Sequence, residues 1–136
     1  MRNITIRLAV ANPANVWLDR TGAEPKLVLQ GDWLVGEAAR MDEALTSLDV
    51  AGISQLAIDG SKIDRLDSAG AWLILRTRRR METKGISVRE VLLPANYRAL
   101  YQRLENETPA PAAPHPRRRT FSDFLEQVGR GTMHVF

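Results

Sequence analysis

The run from Leu56 to Leu75, LAIDGSKIDRLDSAGAWLIL, constrains what this chain can fold into more than any other segment. A short β-rich apolar stretch, Leu56-Ala57-Ile58, meets Asp59-Gly60-Ser61, a cluster of turn-forming residues. After Ile63 and Leu66 come Asp67-Ser68-Ala69-Gly70 and then an apolar block from Ala71 to Leu75. An Asp or Ser just before an apolar helical run marks a helix start, because its side-chain oxygen accepts a first-turn N–H that the helix leaves free. The segment therefore predicts a buried strand, a short polar loop and a buried helix that begins at Ser68. On local chemistry alone, Asp67 and Ser68 are capping residues.

The flanking sequence repeats this alternation of strand and helix. Ile4, Ile6, Leu8 and Val10 recur with the period of a half-buried strand. Val16-Trp17-Leu18 predicts a second strand, and Leu27-Val28-Leu29 a third that ends at Gly31-Asp32. Met41, Ala44, Leu45 and Leu48 fall on one face of a helix that Gly52 stops. The helix from Ser68 ends near Gly85, Val88 to Leu93 reads as a strand closed by Pro94, and Tyr97, Leu100, Tyr101 and Leu104 form another helical stripe. Strands alternating with amphipathic helices predict an α/β architecture with helices covering a sheet.

Charge and composition exclude several kinds of function. With no cysteines and only His115 and His134, both in the tail, no metal centre or other cofactor is expected. No paired acid and base, glycine-rich phosphate loop or nucleophile–histidine arrangement is present, which predicts a protein that is not an enzyme. No window reaches the roughly 18 apolar residues of a membrane-spanning helix, and Met1-Arg2-Asn3-Ile4 lacks the apolar core of a signal peptide. Arg76, Arg78, Arg79 and Arg80 crowd one helix end. Cations there are favoured by the backbone dipole by about 0.3 to 1 kcal/mol each. Without aromatic interleaving or helix-turn-helix spacing, they do not predict a nucleic-acid partner.

The helix after Ser68 carries apolar residues on two sides. At about 100° per residue, Gly70, Leu73, Ile74, Thr77 and Met81 share the side expected to face the sheet. Ser68, Trp72, Leu75 and Arg79 lie roughly opposite. An aromatic and an aliphatic residue beside an Arg suit a protein interface. Asp67, Ser68, Trp72, Leu75 and Arg79 are therefore the candidate partner-binding residues. The alternative is that the N-terminal strands or the tail cover this face.

The chain divides into a domain over residues 1–107, a proline-rich and basic linker over 108–119, and a tail over 120–136. TPAPAAPHP, from Thr108 to Pro116, predicts a stiff extended segment. Arg117, Arg118 and Arg119 follow, and then Phe121, Phe124, Leu125 and Val128 at helical spacing. A basic lead-in to an amphipathic helix suits an anionic membrane surface, so Arg117, Arg118, Arg119, Phe121 and Phe124 are the candidate membrane-surface residues.

The strand, Asp59-Gly60-Ser61 and the helix start Asp67-Ser68-Ala69-Gly70 resemble the STAS domain, found in anti-sigma-factor antagonists, sulfate-transporter tails and bacterial lipid-transporter components. The resemblance covers roughly residues 26–104 and implies a mixed β-sheet covered by α-helices, with Ile58 and Leu73 buried. Ala69-Gly70-Ala71-Trp72-Leu73 is closest to the version fused to the N-terminus of Mla-type permeases, the ABC transporters of phospholipids. The tail resembles the lead-in helix of such permeases. This implies a docking or regulatory domain at the cytoplasmic face of the bacterial inner membrane. Its partners would be an ATPase subunit and the permease transmembrane region, and the chain would be the front of a longer permease. The antagonist branch implies instead a module switched by phosphorylation, with Ser68 as phosphoacceptor. The chain departs from that branch at Ala69, where a second hydroxyl is common, and at Leu34, where an acidic residue is usual.

Overall fold

The computed structural model describes residues 12–108. The expected strand over residues 4–10 and the segments that follow Thr108 lie outside the described residues. The element order is β1 (Asn15–Asp19), β2 (Lys26–Trp33), α1 (Val35–Thr46), β3 (Gln55–Leu66), α2 (Ser68–Thr83), β4 (Ser87–Leu92) and α3 (Ala95–Glu107). The strands form one sheet in the order β1-β2-β3-β4, with β1 antiparallel to β2 and the other two pairs parallel. Parallel neighbours need a crossover between them, and α1 and α2 supply the two. This is the expected mixed sheet with helices packed on it.

The core lies between the sheet and the helices. Leu27 and Leu29 of β2, Leu56 and Ile58 of β3 and Val88 of β4 cluster with Met41, Leu45, Leu73, Ile74, Met81 and Tyr101. Ile58 and Leu73 are 0% and 1% exposed, as the apolar stretch around Ile58 and the helical spacing of Leu73 predict. Burying a side chain of this size contributes about 1.5–3 kcal/mol. α2 packs against α1 on one flank and α3 on the other.

Two strand ends differ from expectation. The polar loop predicted at Asp59-Gly60-Ser61 is instead part of β3, which continues to Leu66. Val28 pairs with Asp59 and Gln30 with Lys62, so β3 carries one extra residue there. A second extra residue falls between the pairs Gly31–Ile63 and Asp32–Arg65. These are bulges, which keep a strand in its ladder while increasing its twist. Turn-forming residues serve a bulge as well as a loop. The Asp59 Oδ1 accepts from the Ser61 hydroxyl at 2.6 Å and its backbone N–H at 3.0 Å. Burial raises the Asp59 pKa, but those two bonds together with the charges of Lys26 and Lys62 hold the carboxyl below the ordinary value. β2 likewise runs past Gly31-Asp32 to Trp33. Gly31 has φ +87°, and a Cβ there would lie 2.2 Å from the Pro13 carbonyl oxygen.

Ile58→Ala is expected to cost about 2–5 kcal/mol, since it opens a cavity beneath the centre of α2. Urea denaturation measures this, and a cost under about 1 kcal/mol would contradict the core described above.

Candidate docking site at the start of the central helix

The two crossover helices begin beside each other because their preceding strands end in register, with Trp33 opposite Leu66. Asp67 follows Leu66 in extended geometry and caps α2, its Oδ1 accepting the Gly70 N–H at 3.0 Å. Its other oxygen, Oδ2, accepts the N–H of Val35, the first residue of α1, at 2.8 Å. One carboxylate therefore satisfies an otherwise free first-turn N–H on each of two helices. Leu34, which precedes α1, makes no side-chain cap of its own. The sequence predicts the first of these bonds. The second spans 32 positions and has no local signal.

Gly70 fixes how closely α2 approaches β2. A Cβ at this position would lie 2.0 Å from the Trp33 carbonyl oxygen and 2.9 Å from Leu66 Cδ1. The same Trp33 oxygen accepts the Asp67 N–H at 3.4 Å. Only a residue without a side chain lets the helix sit against the strand end.

Ser68, the first residue of α2, is exposed. Next to it across the Asp67 carboxylate is Val35, 53% exposed. Gly36 beyond it faces open space. The corner thus presents a hydroxyl and an aliphatic side chain on a backbone held by Asp67. The helix starts carry partial positive charge, and Asp67 supplies the complementary anion.

A further polar pair lies one ladder position back. Asp32 is buried, and its Oδ2 accepts from the exposed Arg65 guanidinium at 2.6 Å. Among the described residues the other Asp32 oxygen has no hydrogen-bond partner. The hydrogen bond and the charge of Asp32 keep the Arg65 pKa above its ordinary value.

Trp72 and Leu75 correct the sequence-based expectation of an exposed apolar face. They are 4% and 1% exposed and belong to the core cluster. The expectation assumed a helix with one buried side. α2 instead lies between two other helices, and its residues from Ala69 to Leu75 are all buried. Of the five candidate partner-binding residues, Ser68 is exposed and Asp67 and Arg79 are half-buried. Burial pulls the Arg79 pKa down, opposed by Tyr101 and Glu105.

The neighbouring arginines join helices as well as complementing a dipole. Arg76 pairs with Asp42 at 2.6 Å, and Arg80 donates to the Leu45 carbonyl of α1 at 2.9 Å. Arg78 pairs with Glu105 of α3 at 3.0 Å. The candidate membrane-surface residues Arg117, Arg118, Arg119, Phe121 and Phe124 lie outside the described residues. Among the described residues no acidic or histidine cluster suits a metal, and no helix is long and apolar enough to cross a membrane. Sequence reasoning missed Val35, Asp32 and Arg65 as parts of this corner. The apolar run Trp33-Leu34-Val35, which passes the end of β2, was the one available signal for Val35.

Residues 16–108 match the family model described as "Mlab, STAS domain". The chain belongs to the STAS domain family. The crystal structure of an anti-sigma factor antagonist from Mycobacterium paratuberculosis shares the fold, with a TM-score of 0.53 and 18% identity over 85% of this chain and 94% of that one. The structure of the anti-sigma factor antagonist SpoIIAA in its unphosphorylated form matches with a TM-score of 0.48 and 16% identity, over 86% of this chain and 97% of that one. The structure of Mglu is 34% identical over 58% of this chain, with a TM-score of 0.47. The match covers 19% of the Mglu chain, so this chain corresponds to a small part of that protein. A comparison with the curated proteins gave no match.

Asp67→Ala leaves two helix N–H groups without their partner and is expected to cost about 1–3 kcal/mol. Trp72→Ala is expected to cost about 3–5 kcal/mol, as for a core aromatic, where an exposed interface residue would cost under about 0.5 kcal/mol. Denaturant midpoints of the two variants check both values.

Proposed function

We propose that this STAS domain is a non-enzymatic docking and regulatory domain of an ABC-type phospholipid transport permease. It binds the ATPase subunit and the permease transmembrane region at the cytoplasmic face of the bacterial inner membrane. The observation that carries this reading is the corner itself. Ser68 and Val35 are exposed on a backbone fixed by Asp67, next to a helix whose larger apolar residues are all committed to the core. A preorganised corner binds with little ordering cost. The Mla part of the reading draws support from the family description and from the motif Ala69-Gly70-Ala71-Trp72-Leu73. In the same reading Arg117, Arg118, Arg119, Phe121 and Phe124 meet the membrane surface, where each Arg contributes about 1 kcal/mol.

A second reading is the phospho-switched antagonist-like module, favoured by the exposure of the Ser68 hydroxyl. A phosphate there would bring close to two negative charges beside Asp67. Helix N-termini ordinarily welcome phosphate, but Asp67 already holds the Gly70 and Val35 N–H groups. Beside that carboxylate the modification would act by repulsion at the docking corner. Both readings use the same surface and differ in the partner.

Ser68→Asp is expected to weaken co-purification with the ATPase encoded alongside this chain at least about tenfold, while Ser68→Ala retains it. Undiminished binding by Ser68→Asp would overturn the assignment of the corner. Binding of a regulatory kinase or anti-sigma factor in place of the ATPase would select the second reading.

A further inference from the structure

The structure points to a second interface, distinct from the Ser68 corner. We propose that β1 joins two copies of this chain edge to edge into a symmetric dimer. β1 is the outer strand of the sheet, and among the described residues no strand pairs with its far side. An unpaired edge is an open row of N–H and C=O groups, and edge strands are usually blunted by charge, proline or bulges. β1 reads Asn15-Val16-Trp17-Leu18-Asp19. It has a single charge at its end, no proline and an unbroken register against β2.

Its hydrogen bonds show which groups face outward. The Val16 N–H is taken by the Asn15 side-chain oxygen at 2.9 Å, so it points away from β2. Antiparallel ladders alternate. Val16 and Leu18 therefore direct their backbone groups to the far edge, which no described strand covers, while Asn15, Trp17 and Asp19 face β2. The sequence of that edge is self-complementary about Trp17. With a two-fold axis there, Val16 lies opposite Leu18 of the second copy, and Asn15 lies opposite its Asp19. Apolar meets apolar, and an amide donor meets a carboxylate.

Residues opposite each other on antiparallel strands share a face of the sheet. Val16 and Leu18 already pack against the helix-side core, and their counterparts would extend it. Trp17, 36% exposed on the other face, would meet its own copy in a non-hydrogen-bonded pair, where side chains approach most closely. The Asn15 side chain then has a definite role. It covers the Val16 N–H in the free chain and yields to the Leu18 carbonyl of the second copy. The opposite edge of the sheet does not offer this. A two-fold axis at the middle of β4 sets Arg89 against Arg89 or Glu90 against Glu90, and like charges directly opposed are destabilising.

A five-residue ladder is a small interface, so the dimer is expected in the weak class, forming over about 10–500 µM. Sedimentation equilibrium of the intact chain over that range is the test. The wild type is expected to pass from monomer to dimer. Trp17→Lys, which opposes two ammonium groups at the axis, should remain monomeric with an unchanged melting temperature, and Trp17→Phe should still dimerise. A wild type that stays monomeric throughout, because the edge is closed from within its own chain or is inert, would overturn the proposal. A Trp17→Lys variant that dimerises as well as wild type would overturn it equally.

Discussion

The placement of this domain's exposed corner depends on one carboxylate. The Asp67 side chain accepts the Gly70 N–H of its own helix and the Val35 N–H of the other crossover helix. Each bond is ordinary in strength, about 1 kcal/mol for a cap. The bulk of the stability lies elsewhere, in the packing of Leu27, Leu29, Leu56 and Ile58 against Leu73, Ile74 and Met81. What Asp67 adds is position. It ties the starts of both helices to the ends of two neighbouring parallel strands, and so determines where Ser68 and Val35 stand in relation to each other. Gly70 cooperates by allowing α2 to touch the Trp33 carbonyl, an approach that any side chain would prevent.

The burial of Trp72 and Leu75 narrows where a partner can act. A helix held between two others has little free side to offer, and here Arg76, Arg78 and Arg80 reach the flanking helices from its far end. The helix's N-terminal end remains. Under the proposed function, a partner meets a corner held by Asp67 with an exposed hydroxyl at its centre. A single added charge there changes the surface without requiring the core to move. In the proposed function, this suits a domain that transmits its state by binding.

The layer structure was legible in the sequence because periodicity reports burial directly. The apolar stretch around Ile58 and the helical spacing of Leu73 place both in the core, where the structure has them. The cap at Asp67 was legible too, since its first partner is three residues away. Contacts between distant segments were not. The bond from Val35 and the pairs Asp32–Arg65, Asp42–Arg76 and Arg78–Glu105 join residues far apart in the chain, and no local pattern encodes them. The misreading of Trp72 has a similar origin. A helical wheel shows which residues share a side but not how many neighbours a helix has. Asp59-Gly60-Ser61 misled for a different reason. Its side-chain-to-backbone bonds are those of a turn, yet the neighbouring ladder absorbs the extra residue as a bulge.

Hydrogen exchange of individual backbone amides, followed by NMR in wild type and Asp67→Ala, tests most directly whether one side chain holds both helix starts. Val35 and Gly70 are both expected to be protected in the wild type. Both should lose protection in the variant by about tenfold or more, corresponding to at least about 1.4 kcal/mol, while amides in the middle of β3 change little. If the Gly70 amide alone responds, or neither does, Asp67 is a cap for a single helix or for none, and the corner is held by something else.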